Sequence, residues 1–208
     1  MGSREDSQPA IDPKRDKLPP DPGVQAAVAL AKERLARGRA ELRVRQRAGA
    51  GGQEIVRAMS DLMDEVVHGL GDGLGKGLPF ALVALGGYGR RELSPRSDVD
   101  LLALLPERGA ELSEAAAERI HRALWDAGLE AGFAARTLAQ SLELGRTDHT
   151  ARTALLDGRL VWGDPGLFKA LERAVVVELD DKRVEEFIAD KLDEFKKRRE
   201  KYGGSVWL

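Results

Sequence analysis

Residues 80–105 constrain the fold of this chain more than any other stretch; they read FALVALGGYGRRELSPRSDVDLLALL. An apolar run, Phe80–Leu85, meets a double glycine, and a second apolar run, Leu101–Leu105, closes the stretch. Short apolar runs bounded by turn residues are typical of buried β-strands. The stretch therefore predicts two strands joined by a turn and the start of a helix.

Two aspartates stand two residues apart at the start of the second apolar run. Residues two apart on a strand point to the same face and lie about 6.6 Å apart along it. Asp98 and Asp100 therefore direct their carboxylates into one site, while Val99 turns toward the core. Mg²⁺ takes oxygen ligands, commonly carboxylates with substrate phosphates, and paired ions about 3.5–4 Å apart can share carboxylates. The pattern predicts a divalent-metal site at Asp98 and Asp100.

The double glycine, Gly86-Gly87, supplies the other half of a phosphate site. Glycines at a strand end let the backbone approach a phosphate closely. The N–H groups at the start of a following helix then attract the anion. Together with the aspartates, the glycines predict that this stretch binds a metal-bound phosphate group.

The spacing of these motifs resembles a known signature. Gly86-Gly87, ten further residues and then Asp98-Val99-Asp100 resembles the motif of the DNA polymerase beta-like nucleotidyltransferase superfamily. The fuller segment GGYGRRELSPRSDVDLL resembles one family within it, the bifunctional PII-protein uridylyltransferase/uridylyl-removing enzymes of bacterial nitrogen control. The segments RQRAGAGGQEIVRAMSDLMDEVV and RTDHTARTALLDGRLVWGD extend the likeness from about residue 46 to the C-terminus.

The resemblance implies a fold of the α/β (α+β) class, a small mixed β-sheet flanked by helices. The strands are expected at Phe80–Leu85, Asp98–Leu105 and Leu129–Leu138. The likeness covers only the N-terminal part of such enzymes, which continue into a helical region, a phosphohydrolase domain and ligand-sensing domains. The nucleotidyltransferase fold is therefore expected to be incomplete at its C-terminus.

The resemblance also implies a reaction, the transfer of UMP from UTP to a tyrosine hydroxyl of a PII signalling protein. Asp98 and Asp100 would hold two Mg²⁺ ions, one activating the hydroxyl and the other neutralising the leaving pyrophosphate. The superfamily usually draws a third carboxylate from a neighbouring strand. Glu130 is the acidic candidate for that metal ligand here.

The same resemblance implies a set of nucleotide-binding residues around the motif. Gly86, Gly87, Arg90 and Ser97 are expected to contact the triphosphate, with Arg90 as a charge partner. Arg91 stands where the family more often has glycine. The alternative function is that of a truncated module with this fold, which binds nucleotide or a partner without catalysing transfer on its own.

Composition excludes several other functions. Without cysteine the chain has no thiolate metal site, and a net charge of −2 with a pI near 6.0 gives no global case for nucleic-acid binding. A basic helix near the N-terminus could bind nucleic acid, but a solvated helix face is favoured because no aromatics lie among its charges. No apolar run reaches the roughly 18 residues of a membrane span, so the expected compartment is the cytoplasm.

The chain divides into segments by composition. The first carries five of the nine prolines and is expected to be disordered. The predicted units are a tail (1–22), N-terminal helices (23–68), a Gly-rich flexible connector (69–79), the nucleotidyltransferase core (80–165) and a C-terminal helical segment (166–208).

Apolar periodicity and capping residues place the helices. They are expected at Val24–Arg47, Gln53–His68, Ser113–Ala127 with Ser113 as cap, Thr137–Gly145, Asp148–Trp162 with Asp148 as cap, and Asp181–Tyr202.

Overall fold

A computed structural model of the chain describes residues 22–75 and 78–178, with isolated helical positions between 188 and 200. The predicted N-terminal tail and most of the predicted last helix lie outside the described residues. Elsewhere the elements follow one another as α1 (Pro22–Arg47), α2 (Gly52–Leu74), β1 (Ala81–Ala84), α3 (Gly86–Gly89), β2 (Val99–Leu105), α4 (Ala110–Asp126), β3 (Ala131–Thr137), α5 (Leu138–Thr147), α6 (His149–Leu156), β4 (Arg159–Gly163) and α7 (Pro165–Glu178).

The strands form one mixed sheet in the order β3-β2-β1-β4. β1 runs antiparallel to both β2 and β4, with Ala84 opposite Leu101. β2 and β3 run parallel, with Val99 opposite Ala131. The predicted mixed sheet flanked by helices is confirmed, and all four residues of β1 are buried because that strand is central.

The fourth strand corrects the sequence-based assignment, which continued a helix from Asp148 to Trp162. The helix α6 ends at Leu156, and β4 begins at Arg159 and pairs with β1. Asp148 does cap α6, since its carboxylate accepts the amides of Thr150 and Ala151 at 2.7 and 3.0 Å. The error arose because the apolar residues of β4 directly follow a true helix and extend its pattern.

Alternate residues of the two central strands pack into two apolar cores on opposite faces of the sheet. The larger core joins α1, α2 and α4 to one face, where Leu82 and Leu101 are buried. The smaller core joins α7, through Leu171 and Val175, to the other face, where Val83 lies. The sheet is thus covered by a thick helical layer on one face and a thinner one on the other.

The glycine-rich stretch after His68 is helical for most of its length, so the predicted flexible connector is wrong from Gly69 to Leu74. A Cβ atom at Gly71 would lie 2.6 Å from the Trp162 ring, and one at Gly73 would lie 2.5 Å from the Cβ of Ala27. These two glycines therefore let α2 pack closely against β4 and α1. The helix ends where Gly75 adopts a φ of 108°.

The helix α4 begins three residues before the predicted cap. Its N-cap is Gly109, with a φ of 70°, and its first residue is Ala110. Ser113 is buried, and its hydroxyl donates to the carbonyl of Pro79 at 3.2 Å. The serine therefore fixes α4 to the segment that precedes β1, which is a tertiary rather than a capping role.

Candidate active site

The double glycine forms a single helical turn between β1 and β2. Gly86 has a φ of 54°, in the left-handed region that favours glycine, and α3 runs from Gly86 to Gly89. We call this segment, Gly86–Gly89, the glycine turn. The amide of Gly89 donates to the carbonyl of Leu85 at 3.0 Å. The preceding amides come first in the helix, where no earlier turn supplies acceptors, so they are the groups available to an anion.

Asp98 and Asp100, which we call the aspartate pair, lie at the start of β2. Both side chains are exposed, whereas Val99 between them is 2% exposed and packs into the larger core. Partial burial of the carboxyl and the neighbouring charge of Asp98 raise the pKa of Asp100 above its usual range. Two carboxylates that repel each other in this way form a donor set suited to a hard divalent cation.

The aspartate pair and the glycine turn meet at one place. The amide of Leu85, directly before the turn, donates to the carbonyl of Asp100 at 3.0 Å. A Cβ atom at Gly86 would lie 3.8 Å from Oδ2 of Asp100. The two motifs meet because antiparallel pairing places the end of β1 beside the start of β2.

Strand β3 contributes a glycine where it passes the aspartate pair. Gly132 is the registered partner of Asp100, and a Cβ atom there would lie 2.4 Å from Oδ1 of Asp100. Glu130 precedes β3 and is exposed; its carbonyl accepts the amide of Val99 at 3.4 Å. In the described part of the chain, no three His, Cys, Asp or Glu side chains group to hold a metal. The role of Glu130 as a third ligand stays a prediction.

The two other predicted nucleotide contacts lie near the turn. Arg90 forms salt bridges with Glu92, at 3.0 Å, and with Asp157, and its side chain is 48% exposed. Ser97 is exposed in the turn directly before Asp98. A triphosphate would therefore meet a guanidinium that acidic side chains already hold in place.

A polar cluster that was not predicted from the sequence lies behind the glycine turn. The carboxylate of Asp64, on α2, accepts hydrogen bonds from both terminal nitrogens of Arg159, each at 2.9 Å. It also accepts hydrogen bonds from the hydroxyl of Tyr88 at 2.8 Å and from the guanidinium of Arg91 at 3.1 Å. We call these four residues the Asp64 cluster. The side chains of Asp64 and Arg159 are only 15% and 25% exposed. A pair 95 positions apart has no local sequence signal, and Arg159 stood in a segment predicted to be helical.

Comparison with known proteins gave bifunctional uridylyltransferase/uridylyl-removing enzymes among the relatives of this chain. No family model matches the chain. A bifunctional uridylyltransferase/uridylyl-removing enzyme of Aromatoleum aromaticum is 38% identical over 190 residues, which cover 91% of this chain and 22% of the relative. Enzymes with the same name from Novosphingobium aromaticivorans and Azospirillum brasilense are each 37% identical, over 88% and 93% of this chain and 21% of the relative.

The chain thus spans about a fifth of the length of the curated relatives it matches, while nearly all of the chain takes part in the match. Within the described residues, no helix is both long and apolar enough to cross a membrane. The resemblance read from the Gly86–Asp100 motif is confirmed: the chain is related, over about nine tenths of its length, to a segment of the bifunctional uridylyltransferase/uridylyl-removing enzymes.

Proposed function

We propose that this chain is a nucleotidyltransferase domain that transfers UMP from UTP to a tyrosine of a PII nitrogen-regulatory protein. The observation that carries the proposal is the meeting of the glycine turn with the aspartate pair at the ends of β1 and β2. An anion-binding turn beside paired carboxylates matches the needs of a metal-bound triphosphate. The printed names of the relatives support uridylyl transfer as the reaction.

The protein groups would divide the work between the two halves of the site. The first amides of the glycine turn would bind the β- and γ-phosphates, and Arg90 would offset their charge. The tyrosine oxygen would form a bond to the α-phosphorus, the bond to the bridging oxygen of the β-phosphate would break, and pyrophosphate would leave. The proton of the tyrosine hydroxyl would pass to solvent.

The aspartate pair fits a magnesium site in its chemistry, because it offers exposed oxygen ligands of like charge at the start of β2. Asp98 and Asp100 would hold the metal, with Glu130 as the proposed third ligand and two ions as the proposed number. With Mg²⁺ bound there, the pKa of the attacking hydroxyl would fall and the charge that develops on the leaving group would be stabilised.

Isothermal titration of the chain with UTP, with and without Mg²⁺, tests the proposal. We expect binding that requires Mg²⁺ and is lost in Asp98→Asn and Asp100→Asn, with no loss of folded structure by circular dichroism, because both side chains are exposed. A matched control is Glu114→Gln, which removes an exposed carboxylate from α4. UTP binding that survives both aspartate substitutions would overturn the assignment.

A second candidate function is nucleotide binding without transfer. It is favoured by the donor set, since among the residues described no three His, Cys, Asp or Glu side chains group to hold a metal. Incubation with labelled UTP and a PII-type acceptor separates the two functions. Label on the acceptor tyrosine supports transfer, whereas Mg²⁺-dependent binding without labelling supports a binding module.

A further inference from the structure

The Asp64 cluster joins three separate parts of the fold. Asp64 lies on α2, Arg159 on β4 and Tyr88 in the glycine turn, and the carboxylate of Asp64 bonds to both other side chains. The ion pair is bidentate and largely buried, so its geometry is better defined than that of a surface salt bridge. The cluster is therefore able to hold the turn in one orientation.

Arg159 also contacts the backbone of the turn directly. Its Nε donates to the carbonyl of Gly89 at 3.2 Å and its Nη2 to that of Tyr88 at 3.3 Å. Its guanidinium carbon lies 5.4 Å from the centre of the Tyr88 ring. These are the carbonyls of the last residues of the turn, where a cation is favourable.

Holding the carbonyl end of a helical turn also directs its amide end, because carbonyls and N–H groups point in opposite directions along a helix axis. The amide end of this turn begins at Gly86, beside Oδ2 of Asp100. A Cβ atom at Gly89 would lie 2.1 Å from the carbonyl oxygen of Asp157, so the turn also fits tightly against the corner that precedes β4.

We propose that Asp64 and Arg159 are positioning residues of the nucleotide site. They fix the direction in which the first amides of the glycine turn point, relative to the aspartate pair, without touching the nucleotide themselves. The inference rests on the proposed function and deepens it, since it names the residues that orient the phosphate-binding groups.

The chain offers a matched control for a purely structural effect. Asp72 is also a carboxylate of α2 that bonds to β4, through Nε1 of Trp162 at 3.0 Å. That bond does not reach the glycine turn. Loss of either carboxylate should weaken the contact between α2 and β4, but only loss of Asp64 should affect the turn.

The experiment compares Asp64→Asn and Arg159→Lys with Asp72→Asn and the wild type. Arg159→Lys keeps the positive charge opposite Asp64, so it provides a second variant if Asp64→Asn folds poorly. The dissociation constant for UTP with Mg²⁺ is measured by calorimetry at a temperature where circular dichroism shows each variant to be folded. We expect about tenfold weaker binding of UTP in Asp64→Asn and Arg159→Lys, because loss of residues that orient the groups of a binding site commonly has an effect of that size. Binding should be unchanged in Asp72→Asn.

Amide spectra of the four ¹⁵N-labelled proteins without nucleotide give an independent readout. We expect the Gly86 and Gly87 resonances to move in Asp64→Asn and Arg159→Lys and to stay in place in Asp72→Asn. If the wild type binds UTP and the folded Asp64 and Arg159 variants bind equally well, the positioning role is overturned and the proposed function stands. If the wild type binds no UTP, the proposed function fails, and unmoved glycine resonances would overturn the positioning role as well.

Discussion

Arg91, which follows the glycine turn closely, has a strained backbone conformation. It alone among the described non-glycine residues has a positive φ, 61°, in a conformation that costs an ordinary side chain about 1–2 kcal/mol. Its side chain bonds to Asp61 and Asp64, each at 3.1 Å. Glycine, which the resemblance leads us to expect here, would adopt this conformation without that cost. These ion pairs hold the Arg91 side chain against α2.

Tyr88 gives a pH prediction at the same scale. Burial, followed by the charge of Asp64, raises the pKa of its phenol above the ordinary value. A group whose pKa is higher in the folded state contributes stability below its unfolded pKa, about 10, and loses that contribution as the pH rises further. We therefore expect the free energy of unfolding to fall with rising pH above about 10.

Urea unfolding of a Tyr202→Phe variant across this pH range measures the effect, because Tyr88 is then the remaining tyrosine of the chain. The absorbance of tyrosinate should appear only with unfolding. Adding Tyr88→Phe serves as the control and should flatten the pH dependence. Tyrosinate that forms in the folded protein near the ordinary pKa would contradict the prediction.

The part of the site that was predictable at this scale depended on short-range rules. The alternation of Asp98, Val99 and Asp100 follows from strand geometry alone, and the structure shows it. The ion pair between Asp64 and Arg159 depends on how α2 packs against β4. No pattern within either segment encodes that packing, so the cluster could not have been predicted.

At the scale of elements, the glycines of α2 explain why a connector was predicted where a helix lies. Glycine every second residue suggests a flexible chain, because each one lacks a side chain to restrict it. Here Gly71 and Gly73 are required by the close approach of neighbouring elements. The burial gained by packing outweighs the low helix propensity.

Two substitutions in this helix should have opposite effects. Gly69→Ala should stabilise the protein by about 0.5–1 kcal/mol, since Gly69 is exposed, helical and free of neighbours within 4 Å of an added Cβ. Gly71→Ala should destabilise it by about 1–3 kcal/mol, because the new methyl group would overlap the Trp162 ring. Chemical denaturation measures both values. Equal effects would mean that the packing of α2 against β4 is looser than described.

The strand β4 was missed for a related reason. Its apolar residues Leu160, Val161 and Trp162 follow α6 after only the Asp157-Gly158 corner. A run of that length fits a strand or the end of a helix equally well. Pairing with β1 decides between them, and this contact joins residues far apart in the sequence.

At the scale of the whole molecule, the helical layers that cover the two faces of the sheet differ in thickness. Asp100 alternates with Val99 and Leu101 of the larger core, so the aspartate pair faces the side of the smaller core, which α7 covers. The fold class was predictable from the resemblance, and the first two strands around the site from apolar runs. The unequal layers were not, because they depend on how seven helices share two faces of the sheet in the described part of the chain.

This asymmetry predicts unequal local stability. Backbone amides of α7, which buries Leu171 and Val175 but exposes Val176 and Val177, should exchange with deuterium faster than those in the centre of α2. Native-state hydrogen exchange, corrected for intrinsic rates, measures the difference. Equal protection of the two helices would show that the thin layer opens only with the whole fold.

Gly132 has a consequence for the geometry of the site. A Cβ atom at this position would lie within 2.4 Å of Asp100, so even the smallest side chain on β3 would push the carboxylate aside. The position of the Asp100 carboxylate therefore depends on a residue of another strand, β3, that has no side chain. Under the proposed function, a Gly132→Ala substitution would displace a proposed metal ligand, although both aspartates would remain in the sequence.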